Sequence, residues 1–203
     1  MIITELRAAK KSLTMVYIDG EYAMKLDTAT LAENGIKVGK VIDDEELREL
    51  IDKSEHRRAK EKALWLISGR DYSKKQLMDK LVRDSSEETA EEVCERMEEL
   101  GLISDENYAR RLAHDLIYIK KLSVRGAKYK LMEKGIDREL CEEILEEFEV
   151  DPVEQLVEII EKKYADKLDD EKGRRRTVAA LQRMGYGWSD IKSALSEFDD
   201  DWY

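Results

Sequence analysis

The sequence predicts a mainly α protein, with three tandem three-helix repeats behind a small N-terminal β-hairpin module. Three observations carry that prediction. Leu81, Leu131 and Leu181 recur at an interval of fifty residues, and Gly135 repeats as Gly185, Leu145 as Leu195 and Phe148 as Phe198. Charged residues make up 41% and hydrophobic ones 42% of the 203 residues, with a single proline, a balance that suits helical, soluble chains. The apolar period is two before residue 43 and becomes helical after it. A helical unit of about fifty residues is marginal alone and gains by stacking on its neighbours. Function is therefore expected on an extended surface rather than in one deep pocket.

Residues 1–42 form the predicted hairpin module. Leu13, Met15 and Tyr17 alternate with polar or smaller residues, Asp19 and Gly20 supply a turn that tolerates positive φ, and Tyr22, Met24 and Leu26 alternate beyond it. Ile2, Ile3 and Leu6 supply a third strand, which gives the sheet one apolar face to lay against helices.

From Asp43 the chain reads as helix. Asp43, Asp44, Glu45 and Glu46 place negative charge at a helix start, and the pattern runs to about Ser68. Ser73 with Gln76, Ser85 with Glu88, and Asp151 with Glu154 have capping-box spacing, and Pro152 suits the first helical position. Gly101, Gly135 and Gly185 follow apolar helical stretches, where a left-handed residue closes a helix. The expected division is 43–103 for a leading helix and the first repeat, 104–150 for the second and 151–203 for the third, with about nine helices in all. Leu77 and Leu81, Ala127 and Leu131, Thr177 and Leu181 should face inward on the middle helices. Val93 and Met97, Cys141 and Leu145, Ile191 and Leu195 should do so on the third helices. Cys94 and Cys141 lack paired spacing and read as reduced helix residues.

The charges come in blocks although the net charge is −11. Residues 110–138 hold nine basic and three acidic residues, whereas 139–161 hold none and ten. One reading is that neighbouring repeats neutralise each other across their seams. The other is a basic stripe for an elongated acidic partner, made of Lys74, Lys75, Lys80, Arg83, Lys120, Lys121, Arg125, Lys128, Lys130, Arg174, Arg175 and Arg176. A repeating protein assembly fits such a stripe through avidity, and nucleic acid fits it through counterion release, against the repulsion of the acidic whole. Tyr72, Tyr118, Tyr129, Tyr164, Tyr186 and Trp188 lie near basic residues, as in single-strand binding, but their spacing favours core or seam positions.

Catalytic chemistry is missing. There is no glycine-rich phosphate loop, no dinucleotide fingerprint and no histidine pair at metal spacing, so neither metal nor cofactor is called for. His56 and His114 stand far apart and unaccompanied, and Asp115 beside His114 does not make a dyad because adjacent helical positions point apart. No run of eighteen apolar residues exists and Met1 to Lys11 lacks a signal-peptide core, so the expectation is a cytoplasmic, non-enzymatic protein without membrane contact or small-molecule substrate.

Arg70, Asp71, Ser73, Leu77 and Leu81, then Leu100, Gly101, Ile103, Asp105, Tyr108 and Ala109, then Gly126, Leu131, Lys134, Gly135 and Ile136, resemble the successive signature segments of RecX regulatory proteins. The resemblance runs on through Arg174, Arg175, Leu181, Arg183, Gly185, Tyr186, Ile191 and Leu195, and reaches back to Asp19, Gly20, Glu21 and Tyr22. The chain departs from the family pattern at Gln76, Leu102 and Ser104. The resemblance implies an elongated, curved array of three-helix units that binds the RecA recombinase filament and modulates, chiefly by inhibition, its ATPase, strand-exchange and coprotease activities. Weak direct DNA contact through the stripe, or service as an adaptor for another assembly, remain the alternatives.

Overall fold

The computed structural model describes residues 1–198; the last positions assigned to the third repeat, 199–203, lie outside them. The sheet has three antiparallel strands in chain order, β1 (Ile3–Ala8), β2 (Leu13–Ile18) and β3 (Glu21–Asp27). Asp19 and Gly20 both take positive φ, 50° and 92°, the twist that a two-residue hairpin turn demands. The third strand expected from Ile2, Ile3 and Leu6 is present as β1, which pairs with β2 from Ile3↔Ile18 to Ala8↔Thr14.

A short helix that the sequence pattern did not reveal, α1 (Thr28–Glu33), follows β3 at once. Its six residues are too few for a periodic signal; its cap is the informative feature. The Asp27 carboxylate is buried, accepts from the backbone N–H and hydroxyl of Thr30 at 2.8 and 3.0 Å, and lies 3.4 Å from Arg57 Nε.

Helix α2 (Asp44–Gly69) begins at its cap Asp43 with Asp44, Glu45 and Glu46 in the first turn, where they meet the positive end of the helix dipole. It serves two cores. Leu50 joins Ile3, Val16, Leu26, Leu31 and Ile42 under the sheet. Ala59 and Ala63, two turns and more along, pack with Leu77, Leu81, Val93, Cys94 and Met97 from α3 (Lys74–Leu81) and α4 (Glu87–Glu99). Ser73 and Gln76 form the expected capping box on α3. The next cap is displaced by one residue: Ser86, not Ser85, accepts from Thr89 N–H, while Ser85 donates its hydroxyl to the Leu81 carbonyl.

The chain divides into two compact units between Ile103 and Ser104. The second unit holds α5 (Asp105–His114), α6 (Val124–Glu133) and α7 (Arg138–Glu146), then α8 (Pro152–Lys163), α9 (Glu171–Arg183) and α10 (Trp188–Leu195). Ten α-helices are thus present among the described residues. The middle-helix residues Ala127, Leu131, Thr177 and Leu181 are fully buried, as are Cys141 and Ile191 on the third helices. Gly101, Gly135 and Gly185 have φ of 68°, 85° and 96°, so each closes its helix as the spacing predicts.

Candidate partner-binding surface

The twelve cations of the proposed stripe fall into distinct environments. Lys74 is paired with Glu98 at 2.8 Å, Lys128 with Glu142, Lys130 with Glu133 at 2.8 Å and Arg175 with Glu171. The sequence suggests neutralisation across seams, and Lys121 does meet Glu158 of the next repeat, whereas these pairs lie within single repeats, as does the fork of Arg110 on Glu147 at 2.9 Å. Lys74 with Glu98 and Lys128 with Glu142 join the middle helix of a repeat to its third, Arg110 joins the first helix to the end of the third, and the Lys130 and Arg175 pairs lie along a single helix. Arg174 donates to the Leu168 carbonyl and Arg125 to that of Gly185, which orients the two guanidinium groups. Among the described residues the side chains of Lys75, Lys80, Arg83, Lys120 and Arg176 have neither ion pair nor hydrogen bond.

Lys121 joins the second repeat to the third. A π-helical turn, Asp115–Ile119, continues α5, and the chain then takes φ of 57° at Lys121, a left-handed conformation that a lysine holds only under outside constraint. The constraint comes from the following repeat. The Lys121 ammonium meets Glu158 at 2.7 Å, and its carbonyl accepts the Tyr186 hydroxyl at 3.0 Å. That hydroxyl also lies 2.6 Å from Gln155 Oε1, while Gln155 Nε2 donates to the Ile117 carbonyl at 2.8 Å. Burial pushes the Tyr186 phenol above its ordinary value and keeps it a donor. Lys121 and Lys162 hold the Glu158 carboxyl down at about 2.

The two glycines of this seam explain how near the repeats come. Ser123 N–H donates to the Met184 carbonyl at 3.1 Å, and a Cβ on Gly126 would collide with that carbonyl. A Cβ on Gly185 would lie 2.6 Å from Gly126 Cα. Repeats two and three are joined backbone to backbone, which holds Lys121 and Arg125 against α8 and the turn between α9 and α10. The signal for this seam was present in Gly126, Gly185 and Tyr186, but spacing alone does not say which glycine meets which.

The aromatic residues divide. Tyr72 and Tyr186 are buried, as core or seam placement requires, and Tyr164 packs at the edge of the third core. Tyr129 is 63% and Trp188 50% exposed, contrary to that expectation, because α6 and α10 turn these positions away from their cores. Tyr118 is exposed too, with its ring 5.8 Å from Phe148 and 5.1 Å from His114. The histidines are less isolated than their sequence positions suggest: His56 Nε2 lies 4.0 Å from Glu92 and His114 Nδ1 3.9 Å from Asp115. Both pairs are solvent-exposed, and neither histidine has a nucleophile at hydrogen-bonding distance among the described contacts. A polar surface cleft of about 940 Å³ runs among α1, α2 and α4, with Lys53, Arg57 and Lys60 on α2 and Glu88 and Glu92 on α4. Cys94 and Cys141 are free and buried, and desolvation raises the Cys94 thiol to about 11. No helix of the described structure is long and apolar enough to cross a membrane.

Family models of the first, second and third three-helix domains of RecX match residues 59–97, 104–145 and 149–195. The chain is 31% identical to a protein named Regulatory protein RecX from Caldanaerobacter subterraneus subsp. tengcongensis, over 97% of this chain and 99% of that one. It is 29% identical to the Regulatory protein RecX of Clostridium acetobutylicum, over 95% and 93% of the two chains. The fold resembles a crystal structure of regulatory protein RecX with a TM-score of 0.65 at 19% identity, covering 96% of this chain and 98% of that one. It also resembles the crystal structure of RecX from Lactobacillus salivarius, with a TM-score of 0.60 at 25% identity over 71% and 96% of the chains. A match of this length, carried by three consecutive three-helix domains, means that the chain belongs to the RecX family of regulatory proteins.

Proposed function

We propose that this protein is a cytoplasmic, non-enzymatic regulator that binds the RecA recombinase filament and restrains its ATPase, strand-exchange and coprotease activities. The observation that carries the reading is the set of unneutralised cations, Lys75, Lys80, Arg83, Lys120 and Arg176, on a chain whose total charge is −11. Cations left without partners in so acidic a protein suit an acidic surface elsewhere, and a filament repeats such a surface along its length. Four segments would share the work: a sheet module at 1–42, a leading helix and first repeat at 43–103, and repeats at 104–150 and 151–203.

Each unit then offers its own unpaired members of the stripe, Lys75, Lys80 and Arg83 on the first and Lys120 and Arg176 on the second, with Lys121 and Arg125 held in place by the seam and Lys74, Lys128, Lys130 and Arg175 partly neutralised. The test is DNA-dependent ATP hydrolysis by the RecA of the same organism, titrated with this protein below RecA's own concentration. Inhibition is expected, and Lys120→Glu with Arg176→Glu should weaken it about tenfold or more, as charge reversal at an interface does. Equal inhibition by the double variant would remove the stripe from the account. Direct DNA binding by the stripe is the second reading, supported by exposed Tyr129 on the helix of Arg125; it requires steeply salt-dependent oligonucleotide binding that Lys120→Glu abolishes.

A further inference from the structure

Helix α2 turns a charged side to solvent, and that side carries one large aromatic ring. Towards the core of the first repeat the helix presents Ala59 and Ala63, with Leu66 and Ile67 beside them. Arg58, Lys62 and Trp65 recur at i, i+4 and i+7 and so share a different face. Trp65 is 73% exposed, more than any other large apolar side chain among the described residues.

The end of α3 brings further cations to this face. Lys62 donates to the Lys80 carbonyl and meets Asp84 at 2.6 Å, which sets the C-terminal turn of α3 alongside Arg58 and Trp65. The Lys62 hydrogen bond, then its charge and those of Arg58 and Lys11, hold the Asp84 carboxyl below its ordinary value, so these cations converge on one carboxylate. Among the described residues the side chains of Lys80 and Arg83 have neither ion pair nor hydrogen bond, and Arg58 makes no ion pair at contact distance. Glu61, one turn before Trp65, lies 3.8 Å from Arg57, and Asp79 is turned away from Lys80 by the helical period. Lys11, Arg58, Lys62, Lys80 and Arg83 thus outnumber Asp84 and Glu61 here, the reverse of the balance in a chain of net charge −11.

We infer that Trp65 anchors the first unit on its protein partner, entering an apolar pocket whose acidic rim is met by Arg58, Lys80 and Arg83. The inference rests on the filament reading and adds to it an apolar anchor that a stripe of charges lacks. Tryptophan and arginine dominate the binding energy of protein interfaces, because a large ring excludes water around the charge pairs beside it. An exposed indole among unpaired cations therefore complements a surface that is apolar at its centre and acidic at its edge. A nucleic-acid strand suits the face less well: its phosphates would meet Asp84 and Glu61 within the patch, whereas a protein surface can set donors against them.

The experiment measures binding of the labelled full chain to RecA filaments formed on single-stranded DNA, and to the same DNA without RecA. Trp65→Ala should bind the filament about thirtyfold or more weakly, the loss that marks an interface anchor, with an unchanged melting temperature because the ring lies outside the core. Trp65→Phe should recover part of the affinity. Raising the salt concentration should weaken the parent and Trp65→Ala by the same factor, since the ring carries no charge, whereas Lys80→Glu with Arg83→Glu should bind weakly and with a flatter salt dependence. Filament binding by Trp65→Ala equal to that of the parent overturns the inference and leaves the filament reading standing. Binding to DNA alone that Trp65→Ala abolishes overturns it in favour of a base-stacking site. A parent protein that does not bind the filament overturns both, so failure of the reading is told apart from failure of the anchor.

Discussion

Leu131 is fully buried among Ala127, Cys141, Ile144 and Leu145, so removing its side chain leaves a cavity that fixed helices close poorly. Leu131→Ala should cost about 2 to 5 kcal/mol in denaturant unfolding of the protein. The cysteines show the same burial as chemistry. With Cys94 raised to about 11, and Cys141 raised by desolvation as well, a thiol reagent at mildly alkaline pH should label neither residue in the native protein and both after denaturation. Rapid native labelling would contradict the packing of the third helices. Glu158 behaves oppositely: Lys121 and Lys162 favour its charged form and hold it at about 2. A depressed carboxyl contributes stability that is present above its unfolded value, about 4.3, and is lost as pH falls towards 2. The stability gap between the parent and Lys121→Met should therefore close across that window, and a gap that persists at pH 2 would assign Lys121 a purely conformational role.

Helices in this protein are positioned by caps and by close approach as much as by apolar periodicity. Gly126 sits in the first turn of α6, where propensity alone predicts that alanine stabilises the helix by up to about 1 kcal/mol. The seam predicts the opposite sign, because the new methyl group would enter the Met184 carbonyl and neither backbone has room to move. Gly126→Ala should destabilise the second unit by about 1 to 3 kcal/mol, measured by chemical denaturation. A stabilised variant would show that repeats two and three do not approach through this glycine. The α5 helix is shaped by the same seam: its π turn and the left-handed Lys121 bring the Ile117 and Lys121 carbonyls to Gln155 and Tyr186.

For the molecule as a whole, the sequence alone determined the repeat, the hairpin, the inward-facing leucines, the three closing glycines and the family resemblance. These are legible because local periodicity, capping and positive φ follow from neighbouring residues along the chain. The short helix α1 escaped because six residues carry too little periodicity, and the cap at Ser86 was misplaced because two adjacent serines offer the same hydroxyl. Among surface residues the limit is different. The sequence places Lys74, Lys75, Lys128 and Arg176 in one basic class, but tertiary structure decides that Lys74 and Lys128 meet carboxylates and Lys75 and Arg176 do not. It likewise buries Tyr186 and exposes Tyr129 and Tyr22. Charge pairing and exposure depend on which faces come together across distant stretches of chain, and that choice is made by packing, where shape and desolvation act between residues that the sequence leaves far apart.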